Sequence, residues 1–209
     1  MKDLMYSIMF YVLGMLTLSF GVTMLILSDL GVGAWDALFV GLSQLFGFTV
    51  GTWIFLVGIV LIVINKFLLR SRFDIPAVIT IFLIGIFIDF WLLFVFDGVM
   101  VSGMVTRIGL LGLGVIGMGA GIGMYLQLDF ARNPIDNLMM AVHYRTGFSL
   151  AVSKSGLEIL IMLIAFLIGG PIGIGTVIVA FGIGPIVQFF FKRTAQVKAM
   201  LVNKWSPSS

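Results

Sequence analysis

Cysteine is absent from the chain, which excludes disulfides and thiolate metal centres and leaves the redox compartment unreadable. Charge is scarce too: only 10% of the 209 residues are charged, against about 25% in a soluble domain. There is a single histidine, His143, with no thiol to join it, so no metal centre is expected. The chain has no G-x-S-x-G, no H-E-x-x-H and no phosphate-binding P-loop. Gly119 to Gly123 resembles a nucleotide turn only superficially, because it lies inside an apolar run and reads as helix packing. No enzyme, no catalytic residue and no cofactor are expected. Helices this poor in charge also exclude a voltage sensor. The net charge of +3 does not point to nucleic acid, because the basic residues lie in short loops, where they orient a membrane protein.

What the chain has instead is apolar surface, at 61% hydrophobic residues. No soluble protein of this size buries so much, so the lipid bilayer is the expected solvent. The first apolar run, Met1 to Leu27, exceeds the roughly 7–15 residues of a signal core and lacks a small-residue cleavage site. It reads as a first transmembrane helix. A bilayer core needs about 20 apolar helical residues, and six segments supply approximately that: 4–28, 51–69, 75–96, 107–128, 155–171 and 173–191. Two shorter stretches, 34–47 and 134–146, are too short to span. If neither crosses and the N-terminus is cytoplasmic, Lys2, Lys66, Arg70, Arg72, Arg132, Arg145, Lys154, Lys192, Arg193, Lys198 and Lys204 face the cytoplasm. Only Arg107 faces out, so eleven of the 12 basic residues obey the positive-inside rule. The expectation is a membrane protein with six spans and both termini in the cytoplasm.

The chain also repeats itself at an offset of 100 residues. Gly14, Gly21, Met24, Asp29, Asp36, Leu38, Gly47 and Phe48 recur as Gly114, Gly121, Met124, Asp129, Asp136, Leu138, Gly147 and Phe148, eight identities in 35 ungapped positions. One residue out of step, Val78, Ile79, Phe82, Ile84, Gly85 and Phe90 match Val177, Ile178, Phe181, Ile183, Gly184 and Phe189. Three spans per copy is odd, so the second copy runs inverted. The expected fold is an all-α polytopic membrane protein, a 3+3 inverted repeat with a short re-entrant or interfacial helix after the first span of each half. Residues 1–100 form the first repeat, 101–195 the second, and 196–209 a short basic cytoplasmic tail.

Small residues recur in the first span of each copy, Gly14, Thr17, Ser19 and Gly21, then Gly114, Gly117, Gly119 and Gly121. Such residues let backbones approach closely in lipid. Packing within one subunit, a homodimer face and a sliding surface all fit that pattern. Each short helix follows a polar, turn-rich motif. Asn133 is a good N-cap, Pro134 suits the first helical position, and Asp136 complements the dipole in the first turn. Gly33 and Asp36 hold the same places in the first copy. Asp36 with Ser43, and Asp136 with His143, are seven apart and share a helix face. These stripes are candidates for a substrate pathway; capping and interfacial anchoring by His143, Tyr144 and Arg145 is the plainer account.

The other pathway candidates are Arg145, Glu158, Asp89 and Gln188. Glu158 lies four residues after Lys154, and an Arg145–Glu158 clamp is the alternative pairing. Asp89 falls about 21 Å along its span by helix rise, and Gln188 is its counterpart in the repeat. Gly14, Gly21, Gly117 and Gly121 are the expected helix-packing residues.

The string Asp29-Leu30-Gly31-Val32-Gly33-Ala34-Trp35-Asp36, followed by Gly41-Leu42-Ser43 and Gly51-Thr52-Trp53, resembles the YczE branch of the YczE/YyaS/YitT family of bacterial integral membrane proteins. Arg145-Thr146-Gly147, Glu158, Gly169-Gly170, Gly173-Ile174-Gly175-Thr176 and Gly184-Pro185 extend it through about 190 residues. Where that family carries a glycine-rich turn before the third span of the first half, this chain has Asp74-Ile75-Pro76-Ala77. The resemblance implies a multi-span bacterial membrane protein and carries no substrate. The expected function is a small-solute or ion permease with its site at the repeat interface. A membrane scaffold that assists a partner enzyme through the basic tail is the second expectation.

Overall fold

The computed structural model describes residues 2–128, 130 and 133–204. Among them there are helices and connecting turns and no strand: α1 (Lys2–Ser28), α2 (Ala34–Phe46), α3 (Val50–Leu69), α4 (Ile75–Phe90), α5 (Met104–Tyr125), α6 (Pro134–Thr146), α7 (Leu150–Leu167) and α8 (Ile174–Lys204). Six of these, α1, α3, α4, α5, α7 and α8, are long and apolar enough to cross a membrane. The protein is an all-α polytopic membrane protein. Helices α2 and α6, at 13 residues each, rise only about 20 Å and are not spans.

The centre of the molecule is the antiparallel pair α1–α5, and glycines bring it together. A Cβ on Gly14 would collide with the Tyr125 amide nitrogen, and one on Gly21 with that of Met118; one on Gly121 would come 2.5 Å from Leu18 Cα. Gly117 lies across from Gly21, its Cβ direction ending 3.2 Å from the Gly21 Cα. All four small positions therefore face the partner helix of the same subunit. At one end of this pair Arg107 reaches Asp29 at 3.1 Å. Met15, Leu18, Leu25, Leu111 and Val115 continue into the main core.

The other helices are arranged around this axis by exchange. Helix α4 packs on α1 and α8 on α5, while α2 packs on α7 and α6 on α3. Each short helix thus lies against the middle span of the opposite half. The crossing of α2 is tight at the C-terminal end of α7: a Cβ on Gly41 would come 2.8 Å from Ile168 Cγ1, and Gly170 abuts the Ala37 carbonyl. The loops join as well. Leu30 O accepts from Gly175 N at 2.7 Å, and Val32 N donates to Pro171 O at 3.2 Å. Gly31 sits here at φ +103, with its Cβ direction ending 2.5 Å from Gly173 N, so a side chain is excluded by both conformation and space.

Boundaries differ from sequence expectation where caps outweigh hydropathy. Helices α2 and α6 begin at Ala34 and Pro134, as their caps suggest. Helix α7 starts at Leu150 rather than 155, because Ser149 caps it by accepting from Val152 N. It ends at Leu167 before Gly169, which adopts φ +80. Helix α5 starts at Met104 after Gly103 at φ +88. Helix α8 continues past residue 191 with Pro185 inside it, so the tail from 196 is helical to Lys204. After Phe90, α4 ends in a π-helical turn, Trp91–Val95, where Trp91 Nε1 donates to Leu16 O at 3.3 Å. Asp129, Arg132 and the end of the tail, 205–209, lie outside the described residues.

Candidate functional site

Asp36 and Asp136 stand in the first turns of α2 and α6, at opposite ends of the α1–α5 pair. Asp36 follows Gly33, an N-cap without a side chain. That absence makes room for the carboxyl: a Cβ on Gly33 would lie 2.9 Å from Asp36 Oδ2 and 3.5 Å from Val179 Cγ1. No described residue hydrogen-bonds to the Asp36 carboxyl. Desolvation without compensation pushes it up to about 7. The interlocked loops leave an open recess of about 250 Å³ lined by Asp29, Leu30, Gly31, Pro171, Gly173 and Ile174.

The Asp136 end is polar. Asn133 Oδ1 accepts from Ile135 N at 3.0 Å, which caps α6. Asn65, buried on α3, donates through Nδ2 to Pro134 O at 2.7 Å. A carbonyl only accepts, so the amide orientation is fixed, and Asn65 Oδ1 remains a buried acceptor with no partner among the described residues. Asn137 Nδ2 donates to Asp74 Oδ2 at 3.5 Å. Tyr125 is buried within electrostatic reach of Asp136. Its ring meets Tyr11 edge-on at 6.3 Å, and Tyr11 shares a 2.6 Å hydroxyl bond with Thr80. Phe130 packs edge-on against Tyr11 at 5.7 Å. The residues equivalent by repeat to Tyr11, Tyr125 and Thr80 are Leu111, Leu25 and Val179, all in the apolar core. No local pattern in the sequence marks Tyr11, Asn65, Thr80 or Tyr125. They are isolated polar residues on four different spans, and the one available signal is the repeat, which pairs each of the first and last two with an aliphatic residue.

The remaining sequence candidates disperse. Ser43 donates to Val40 O of its own helix at 2.8 Å. His143 Nδ1 meets Phe148 O at 2.5 Å just past the end of α6. Arg145 turns away from Glu158 and donates to the C-terminal carbonyls of α3, Leu68 O at 2.7 Å and Phe67 O at 3.4 Å, where a cation complements the helix dipole. Glu158 pairs with Lys154 at 3.8 Å. Asp89 closes the start of α3, accepting from Gly51 N at 2.8 Å and Thr49 Oγ1 at 2.5 Å. Gln188 is exposed on α8. The structure therefore brings no two of the eight pathway candidates together; it brings Asp136 to a polar cluster of other residues. Among the described residues no group of three or more metal-ligating side chains is present.

Comparison with known proteins places this architecture. Residues 5–192 match a family of unknown function (DUF6198). The chain is 36% identical over 170 residues to "Uncharacterized protein YyaS" of Bacillus subtilis (strain 168), covering 81% of this chain and 85% of that protein. It is 34% identical over 197 residues to "Uncharacterized membrane protein YczE" of the same organism, covering 94% and 90%. An uncharacterized protein of Haemophilus influenzae is 29% identical over 191 residues, covering 91% and 85%. No solved structure matches the chain. With helices, spans and relatives in agreement over nearly its whole length, the chain belongs to the DUF6198 family of membrane proteins.

Proposed function

We propose that the protein is a small-solute or ion permease of the bacterial cytoplasmic membrane, built as a 3+3 inverted repeat with both termini in the cytoplasm. The observation that carries this reading is the pair of acidic short helices, each laid across the middle span of the opposite half. The exchange of packing partners between the halves supports the inversion, since α2 on α7 mirrors α6 on α3. Non-spanning helices at membrane depth are tolerated where protein or a wet cavity surrounds them, and transporters place substrate sites at such interruptions. Carboxylates at both helix starts oppose the pull of a helix N-terminus on anions. The substrate class is a cation or a neutral solute moved with a proton, with Asp36, held near neutral, as the proton-binding group.

Reconstitution into liposomes with a panel of cations and small neutral solutes, with and without a pH gradient, tests this. Flux that collapses in Asp36→Asn or Asp136→Asn, at unchanged membrane abundance, is the expected outcome. Cysteine introduced at position 71 and labelled only from the cytoplasmic side supports the topology; labelling from outside refutes it.

One observation favours a scaffold as the second reading. Helix α8 runs on beyond its apolar portion and carries Lys192, Arg193 and Lys198, a basic stretch suited to anionic lipid or an acidic partner at about 1 kcal/mol per residue. Absence of flux for every solute, with a cytosolic protein retained only by the chain with residues 192–204 intact, favours this reading over transport.

A further inference from the structure

The two halves use one spacing in two ways. In the first half α4 offers Gly85 and, one turn on, Asp89. Helix α3 docks into that notch: Gly51 lies against Gly85, and its N–H donates to Asp89 Oδ1 at 2.8 Å. In the second half α8 offers Gly184 and, one turn on, Gln188. Helix α7 does not dock there. Residue 151 differs from its counterpart in the first half. A Cβ on Gly51 would collide with Gly85 O and come 2.6 Å from the Asp89 carboxyl carbon. The repeat partner of Gly51 is Ala151, which carries that Cβ. Helix α7 stands off α8, the space where a Gly184 Cβ would project is open to 4 Å, and the Gln188 amide is exposed with no hydrogen bond to a described residue.

The notch belongs to a longer pattern. Val177, Phe181, Gly184, Gln188 and Phe191 follow one another at steps of four, three, four and three residues, and all are exposed; Phe181 is 82% exposed. That is the seam spacing of a left-handed helix pair, in which one polar seam residue fixes register.

We propose that this seam pairs α8 with α8 of a second copy of the chain, the helices crossing at Gly184 and the two Gln188 amides hydrogen-bonded to each other. A second copy is the fitting occupant because an amide both donates and accepts. Two of them related by a two-fold axis satisfy one another, as an isologous interface requires. The glycine-to-glycine approach repeats between copies what Gly51 and Gly85 do within one. Arg193 lies over the Phe189 ring at 5.5 Å, on a residue outside the seam. The proposal is independent of transport.

The absence of native cysteine makes the test direct. Single cysteines are placed at 177, 178, 181, 182 and 191, which leaves Gly184 and Gln188 in place, and oxidised in native membranes. Cross-linked dimers should peak at 177, 181 and 191 and be minimal at 178 and 182. Equal yields around the helix, no dimer at the seam, or a product heavier or lighter than two chains overturns the proposal. Energy transfer between fluorescently tagged copies in liposomes gives a second reading on the otherwise unaltered chain. Gln188→Leu should weaken self-association roughly three- to ten-fold, and Gln188→Asn should restore much of it. A monomeric wild type, or association undiminished in Gln188→Leu, refutes it.

Discussion

Asp36 and Asp136 occupy equivalent places in the repeat and meet different chemistry. Near Asp36 the wall holds Val179, and the positions that would answer to a Tyr–Thr–Tyr cluster hold Leu25 and Leu111 in the core. Near Asp136 the same positions are Tyr11, Thr80 and Tyr125. The short helices themselves are alike in length, start and acid. What differs comes from α1, α4, α5 and α8, so the character of each carboxylate is set by residues far away in sequence. The same lesson holds for the outer spans. Gly51 is docked against Gly85, while its counterpart Ala151 is exposed on the open pair.

The largest effect that would break the comparison is on pH dependence. The Asp36 carboxyl titrates near 7 when folded and near 3.8 when unfolded. The folded state holds the extra proton between those values, so stability is fully present below about pH 3.8 and falls as pH rises through 7. Asp36→Asn should abolish that fall and raise the melting temperature at pH 8 but not at pH 4. The gain is on the order of 1–3 kcal/mol, below the full conversion of the shift because the group is part-exposed. A wild-type melting temperature in detergent that is flat from pH 4 to 8 would refute a raised Asp36 carboxyl.

Similar in size is the contrast between the outer spans. Asp89→Ala leaves Gly51 N and Thr49 Oγ1 without their anionic acceptor and should cost about 1.5–3 kcal/mol. Gln188→Ala should leave the melting temperature of a detergent-separated monomer unchanged. Equal losses would mean that α7 and α8 are joined as α3 and α4 are. Tyr11→Phe removes the hydroxyl bond to Thr80 and should cost about 1 kcal/mol at every pH, sharpening the distinction between a titrating end and a hydrogen-bonded one. Smallest is Glu158→Ala: an exposed i,i+4 pair with Lys154 is worth about 0.3–0.5 kcal/mol, visible only as a melting shift of a degree or less.

The spans were legible because lipid imposes length and apolarity on each of them separately. The short helices were legible because Asn133, Pro134 and the two aspartates are local signals of a helix start. The start of α7 was not. Ser153, Lys154, Ser155 and Gly156 dilute its hydropathy, while its actual cap, Ser149, lies five residues earlier than the apolar run suggests. The polar cluster at Asp136 was hidden for another reason. Asn65, Thr80, Tyr11 and Tyr125 each stand alone on a different span, and no period within a helix shows that four helices turn these residues to one place. The position of α2 across α7 is likewise a long-range fact, recorded in the sequence only as small residues at Gly41 and Gly170.

The swapped placement of α2 and α6 bears on how the polypeptide is made. When the ribosome has released only the first hundred residues, the carbonyls of Phe67 and Leu68 still await Arg145, and the surface of α2 that will meet α7 is uncovered. Neither triplet is a finished object by itself. The contacts that complete the first triplet therefore form only after α6 and α7 have been made.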